Sequence, residues 1–248
     1  IHWIVLFSTL GFLILIGSLY LYNLYNVPVL SKEEILKLSE EAKEQRENIT
    51  RQTVFEPFEF KKPNKNKNVY FGDLHVHSSL SFDSYIFGNR FGLDDTYKFA
   101  KGEPMLNMFG EQMQISRPLD FAAVTDHAET FGLQESCADP EITEESKITC
   151  TRLESPSYRF FFDLRETSVA RPPVSIMSAA IGDKEKEERF IKSTWNKIIK
   201  AADNHNEPGK FTTFVAYEYS PTLPDGGYNH RNVIFKNNTV PEKAFSLF

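Results

Sequence analysis

Two histidines stand two residues apart at the end of a short run, Gly72-Asp73-Leu74-His75-Val76-His77-Ser78. Read as a strand, alternate side chains share a face, so both imidazoles can converge on one metal ion. Asp83 follows six residues after His77, in a polar segment that reads as the loop beyond that strand. A second apolar run, Leu119-Asp120-Phe121-Ala122-Ala123-Val124-Thr125-Asp126-His127, ends in Asp-His. Three of the six histidines therefore stand at or near strand ends beside carboxylates, the layout expected of a metallohydrolase.

The rest of the chain extends this pattern. Asp183 can cap a helix running to about Asn204, with Phe190, Ile191, Trp195, Ile198, Ile199 and Ala202 on its buried face. Residues 211–217 read as a third strand ending in Glu218. After a Pro/Gly turn over 221–227, residues 228–235 read as a fourth strand carrying His230. Strands alternating with long helical connections predict a parallel α/β sheet or barrel.

The start of the chain is of another kind. Residues 1–22 are almost continuously apolar, with no Lys, Arg, Asp or Glu, and about 20 such residues span a bilayer as a helix. An uncleaved anchor is the expectation, because no small-x-small cleavage site follows the run; a cleaved signal peptide is the competing reading. The absence of Lys and Arg from 23 to 31 favours export of the following part. Ser31-Lys32-Glu33-Glu34 is a capping-box pattern opening a thinly apolar helix to about Asn48. With the Lys/Asn-rich segment that follows, it makes residues 23–68 a helical stalk and linker, and 69–248 the globular domain. The first residue is not Met and the last carries no stop signal, so the chain is expected to be cut at both ends.

Composition narrows the partners. A net charge of -6, with no basic stripe interleaved with aromatics, disfavours nucleic acid. The 22 Phe and 10 Tyr suffice for a packed core rather than a disordered ectodomain. Cys137 and Cys150 lie close together in a polar segment, where an exported protein would join them as a disulfide; two buried free thiols are the alternative. No CxxC pair or nearby His makes them a zinc site.

Each candidate has a plainer reading. His75 and His77 could be hydrogen-bonded on a sheet rim, and Glu218 could sit at a surface corner. His230 could be an ordinary core or surface histidine. His205, in the polar Asn204-His205-Asn206 turn, reads as solvated. The group weighs against these readings: burying Glu218 between Tyr217 and Tyr219 is costly unless the carboxylate is paired or metal-bound. Mixed His and carboxylate ligands suit Zn, Mn or Fe. Six candidates (His75, His77, Asp83, His127, Glu218 and His230) exceed the three that one catalytic zinc takes from protein, so two or three ions are expected.

The motif order resembles the PHP (polymerase and histidinol phosphatase) superfamily. The particular wording, Tyr70-Phe71-Gly72-Asp73-Leu74-His75-Val76-His77-Ser78, Val124-Thr125-Asp126-His127-Ala128-Glu129 and Asn229-His230-Arg231-Asn232-Val233-Ile234-Phe235, is similar to an exported PHP-like branch known only as a domain of unknown function. The resemblance covers about residues 69–235. It implies a distorted seven-stranded β/α barrel of which this chain supplies the first part. It also implies that His75 and His77 bind a first metal, that Glu218 bridges it to a second held by His230, and that Asp83 and His127 hold a third. Asp83 stands where many members have His. The family's later ligands, a lone His and a closing Asp-x-His, are absent, so the chain alone is expected to be inactive.

The expected function is that of an exported, membrane-anchored, metal-dependent hydrolase. A phosphoesterase using metal-activated water comes first, with Arg231 as a candidate grip on a small anionic substrate. An amidohydrolase-like enzyme acting on carbon–nitrogen bonds is the second reading. A non-catalytic binding module with a structural metal is the third. All six ligand candidates are expected in one cleft, open on one side.

Overall fold

The structure is a computed structural model and describes residues 2–26, 37, 40, 44, 68–107, 110–155, 157–170, 175, 183–223 and 227–246; the side chains of 2–12, 145, 164 and 167–169 are not described. Helix α1 (His2–Asn26) is followed by β1 (Gly72–Val76), α2 (Phe82–Ile86), α3 (Leu93–Ala100), β2 (Met105–Leu106), β3 (Gln112–Met113) and β4 (Phe121–Val124). A single 3-10 turn (Ala128–Thr130) leads into α4 (Leu133–Cys137), α5 (Glu144–Glu154), α6 (Tyr158–Val169) and α7 (Lys184–His205). Strands β5 (Thr212–Phe214), β6 (Ala216–Tyr219) and β7 (Arg231–Ile234) complete the described elements.

The architecture is mixed α/β around a small parallel sheet of order β1-β4-β5, and among the described residues no barrel is closed. Gly72 pairs with Phe121 and Phe121 with Thr212, which lines up the C-terminal ends of all three strands. A Cβ at Gly72 would lie 2.2 Å from the Phe121 ring, so any side chain there would displace that ring. Between Asp73 and Val76 the register slips, with an extra residue in β1. The His75 N–H donates to the Asp73 carboxylate (3.0 Å). Bulges of this kind re-aim side chains beside functional sites.

The predicted third strand divides at Val215: β5 continues the sheet on β4, whereas β6 turns to pair with β7. The fourth strand departs from expectation in two ways. It is antiparallel to β6, and it begins at Arg231, so His230 precedes it. The connection over 220–230 is shorter than the dozen or more residues a parallel crossover needs, so a hairpin is the available geometry.

Helix α7 forms as its pattern predicts. The Asp183 carboxylate caps it by accepting the N–H groups of Glu185 and Lys186. Its buried stripe, Thr194, Trp195, Ile198, Ala201 and Ala202, packs over the sheet. Phe131, Val124, Phe211, Val215 and Tyr217 complete that core. Trp195 stacks on Phe131 and meets Tyr217 edge-on, while its indole N–H donates to the Pro241 carbonyl (2.8 Å). A second cluster of Ile86, Leu133, Leu153 and Phe160 joins the short helices, which the expected Cys137–Cys150 disulfide staples together. His205 is not solvated as its polar turn suggested. It stacks on Tyr97 and lies 2.9 Å from the Asp94 carboxylate, because the end of α7 folds down onto α3.

The stalk and linker, including the capping box at 31–34 and the basic stretch at 61–67, lie outside the described residues apart from residues 23–26 and Lys37, Glu40, Glu44 and Asn68. Helix α1 carries no charged residue, and its described side chains, from Leu13 onward, leave Leu13, Leu15, Leu19 and Leu21 more than 60% exposed. Among the described residues no helix is long and apolar enough to cross a membrane.

Candidate metal centre

The end of strand β1 delivers His75, the residue after the strand is His77, and both imidazoles meet the same oxygen. His75 Nε2 and His77 Nε2 lie 2.9 and 2.8 Å from Oε2 of Glu218. Glu218 sits in the middle of β6, fully buried, opposite the end of β4 in a parallel bridge to His127. Its other oxygen, Oε1, is 2.5 Å from His230 Nδ1 and accepts the Ser220 hydroxyl (2.9 Å). One carboxylate thus engages three histidines through both oxygens.

A second carboxylate gathers the remaining pair. His77 Nδ1 stands 3.1 Å from Asp83 Oδ2, and His127 Nε2 lies 3.5 Å from the same oxygen. The Ser81 hydroxyl fixes Asp83 by donating to its Oδ1 (2.6 Å), and it accepts the His127 backbone N–H (3.2 Å). Below the cluster the buried Asp126 carboxylate accepts both the N–H and the hydroxyl of Ser78, each at 2.6 Å. That clamp ties the end of β1 to the end of β4, so His77 and His127 are held in fixed relation.

All six predicted ligands are therefore together. They form three overlapping groups, His75-His77-Glu218, His77-Asp83-His127 and His127-Glu218-His230, each of which could hold a metal ion. Asp83 and His127 share the second group with His77. His230 arrives from the turn before β7 rather than from the end of a parallel strand. Arg231 is not brought into the cluster: register places it opposite Tyr219, one residue off the Glu218 face. Its side chain is exposed, with no hydrogen bond or ion pair among the described residues.

The charges are mutually dependent. Burial pulls the His77 imidazole down, but its bonds to Asp83 and Glu218 outweigh this and raise it to about 10. His127 is likewise opposed by burial and raised to about 9 by Asp83 and Glu129. Burial pushes Asp83 and Glu218 up, yet the surrounding imidazoles hold both well below the usual carboxylate range. Burial dominates at Asp126 and raises it to about 6 despite the two Ser78 donors.

The donor set fits divalent metal. Four imidazoles and two carboxylates converge, and a tetrahedral ion bound at about 2.1 Å would separate neighbouring ligand atoms by about 3.4 Å. The separations of 2.5–3.9 Å bracket that value. His75 and His230 side chains are 56% and 51% exposed, so the cluster opens to solvent on their side. Leu74 in β1 is also exposed, as are Val69, Tyr70 and Phe71 before the strand.

Residue patterns did not reveal the supporting shell. Ser81, Ser220 and Glu129 hold ligands through contacts spanning up to 91 residues of sequence. Only Glu129, an acid two residues after His127, carried any local signal.

Comparison with curated proteins and with solved structures finds no match. A family model described as "Protein of unknown function (DUF3604)" matches residues 64–248, which include every residue of the cluster. The chain belongs to that family.

Proposed function

We propose that this domain is a PHP-like, metal-dependent hydrolase, with a phosphoester as its substrate class. The observation that carries the reading is the double engagement of Glu218, one oxygen facing His75 and His77 and the other facing His230. A buried carboxylate used from both sides suits a bridge between neighbouring ions, and the Asp83–His127 pair suits a third. Zn, Mn or Fe matches the donors. When bound, such ions activate water and stabilise charge on phosphoryl oxygens.

The residues of the chain supply the rest. His75 and His230 line the open side, where a substrate can approach. Ser220 orients Glu218 and His230 together through its hydroxyl. Asp126 and Ser78 lock the two strand ends, which limits ligand drift. Arg231, the exposed residue after His230, is the candidate for contact with an anionic group of the substrate. The barrel-like closure of the sheet belongs to the same proposal, as does an exported location for the domain.

The test is metal content and aryl phosphate hydrolysis of the full-length protein, wild type against Glu218→Gln. The reading expects bound transition metal and hydrolysis, both lost in the variant. Turnover of amides but not phosphoesters would replace phosphoesterase with the amidohydrolase alternative. Absence of bound metal would end the reading.

A further inference from the structure

The Glu129 side chain is nine-tenths buried, yet its Oε2 has no hydrogen-bond partner among the described residues. The other oxygen, Oε1, accepts the backbone N–H of Ser220 (3.0 Å). Oε2 lies 3.7 Å from Nδ1 of His127, on the side of the ring away from the cluster, while Nε2 faces Asp83 and Glu218. A buried carboxylate oxygen left without a donor is costly, and the one imidazole nitrogen beside it is not used by the cluster.

We infer that Glu129 is a positioning residue that keeps the proton of neutral His127 on Nδ1 and so leaves the Nε2 lone pair for a metal ion. A small rotation of either side chain closes 3.7 Å to a hydrogen bond. Ring nitrogens that bind metal are oriented in this way by a carboxylate on their far side. Glu129 does a second thing through Oε1. Ser220 donates its hydroxyl to Glu218 and stands 2.9 Å from His230 Nδ1, so Glu129 couples the His127 segment to the Glu218–His230 hairpin. The inference rests on the proposed metal centre and names what aims one of its ligands.

Glu129→Gln separates aiming from scaffolding. The Ser220 N–H requires an acceptor, so the amide keeps its oxygen there and turns its NH2 toward His127. Nδ1 must then accept, which puts the proton on Nε2 and blocks the ligand atom. Glu129→Ala removes both contacts.

The experiment loads the full chain with zinc, measures affinity and stoichiometry by competition, and reads the His127 ring nitrogens by 15N NMR; thermal midpoints of the metal-free proteins are compared. Wild type should show Nδ1–H and a zinc-shifted Nε2. E129Q should melt as wild type does, lose the zinc-shifted Nε2 signal and bind its weakest ion on the order of 10–100-fold less tightly. E129Q matching wild type in affinity and tautomer overturns this inference alone. If E129Q loses zinc only in proportion to lost folding, Glu129 is scaffolding and the inference also fails. Wild type taking up no zinc overturns the metal centre itself.

Discussion

Trp195 and Glu218 are equally hidden from water, both at 0% exposure, but their neighbourhoods hold them by opposite means. Around Trp195, aromatic and aliphatic side chains are retained by the area they remove from water, roughly 25 cal/mol per Å². Around Glu218, three histidines and a serine hydroxyl satisfy a charge that would otherwise be driven out of the interior. A single strand spans both regimes. In β4 and the residues after it, Ala122, Ala123 and Val124 belong to the apolar interior, whereas Asp126 and His127 clamp and line the cluster. The difference predicts that damage to the core will appear as lost stability, and damage to the cluster as lost metal.

The largest expected effect is on the apolar side. Trp195→Ala removes a fully buried indole and should cost about 3–5 kcal/mol, measured by denaturant unfolding, while folded protein keeps its metal stoichiometry. Metal loss from fully folded W195A would mean that the two regions are not separable. Reducing the Cys137–Cys150 bridge reopens a short loop and should cost about 3 kcal/mol with the cluster intact. A reduced protein with unchanged melting would place the helices around the disulfide outside the cooperative unit.

On the polar side, Glu218→Gln should weaken metal binding by about 100-fold or more, because Glu218 serves two of the three ligand groups. A variant that unfolds instead would show the carboxylate to be structural first.

The protonated imidazoles give a smaller, graded effect. Metal needs the lone pairs of His77 and His127, which hold protons up to about 10 and about 9 in the free chain. Affinity should therefore rise with pH, by up to about two decades per unit between pH 7 and 9, more gently to about pH 10, and then level. Proton release on binding, read by calorimetry in buffers of different ionisation heat, should approach two per chain at pH 7. Zero release would place the ions elsewhere. Arg231→Ala, off the Glu218 face, should leave metal affinity unchanged within about threefold.

Much of the cluster was legible because its information is local. Alternation placed His75 and His77 on one face, and apolar runs ending in acid or histidine marked the strand ends. The hairpin was not legible: residues 228–235 look like a strand in either direction, and only the short connection decides that β7 runs back along β6. His205 misled because the turn around it is polar, whereas its environment is set by Tyr97 and Asp94, more than 100 residues earlier. Glu129 carried only the faint signal of an acid two residues after His127, and its tie to the Ser220 N–H, 91 residues later, left no periodicity in either segment. The stapled helices were half legible, through the cysteines alone.

Six residues from four separate stretches of chain are proposed to form one metal centre. Equilibrium loading of the full chain with zinc or manganese, followed by removal of loosely held metal and elemental analysis, tests it directly. At least one tightly held ion per wild-type chain is expected, lost in His77→Ala and in Glu218→Gln while both variants remain folded. A wild-type chain that retains no metal, or variants that retain as much as wild type, would contradict it.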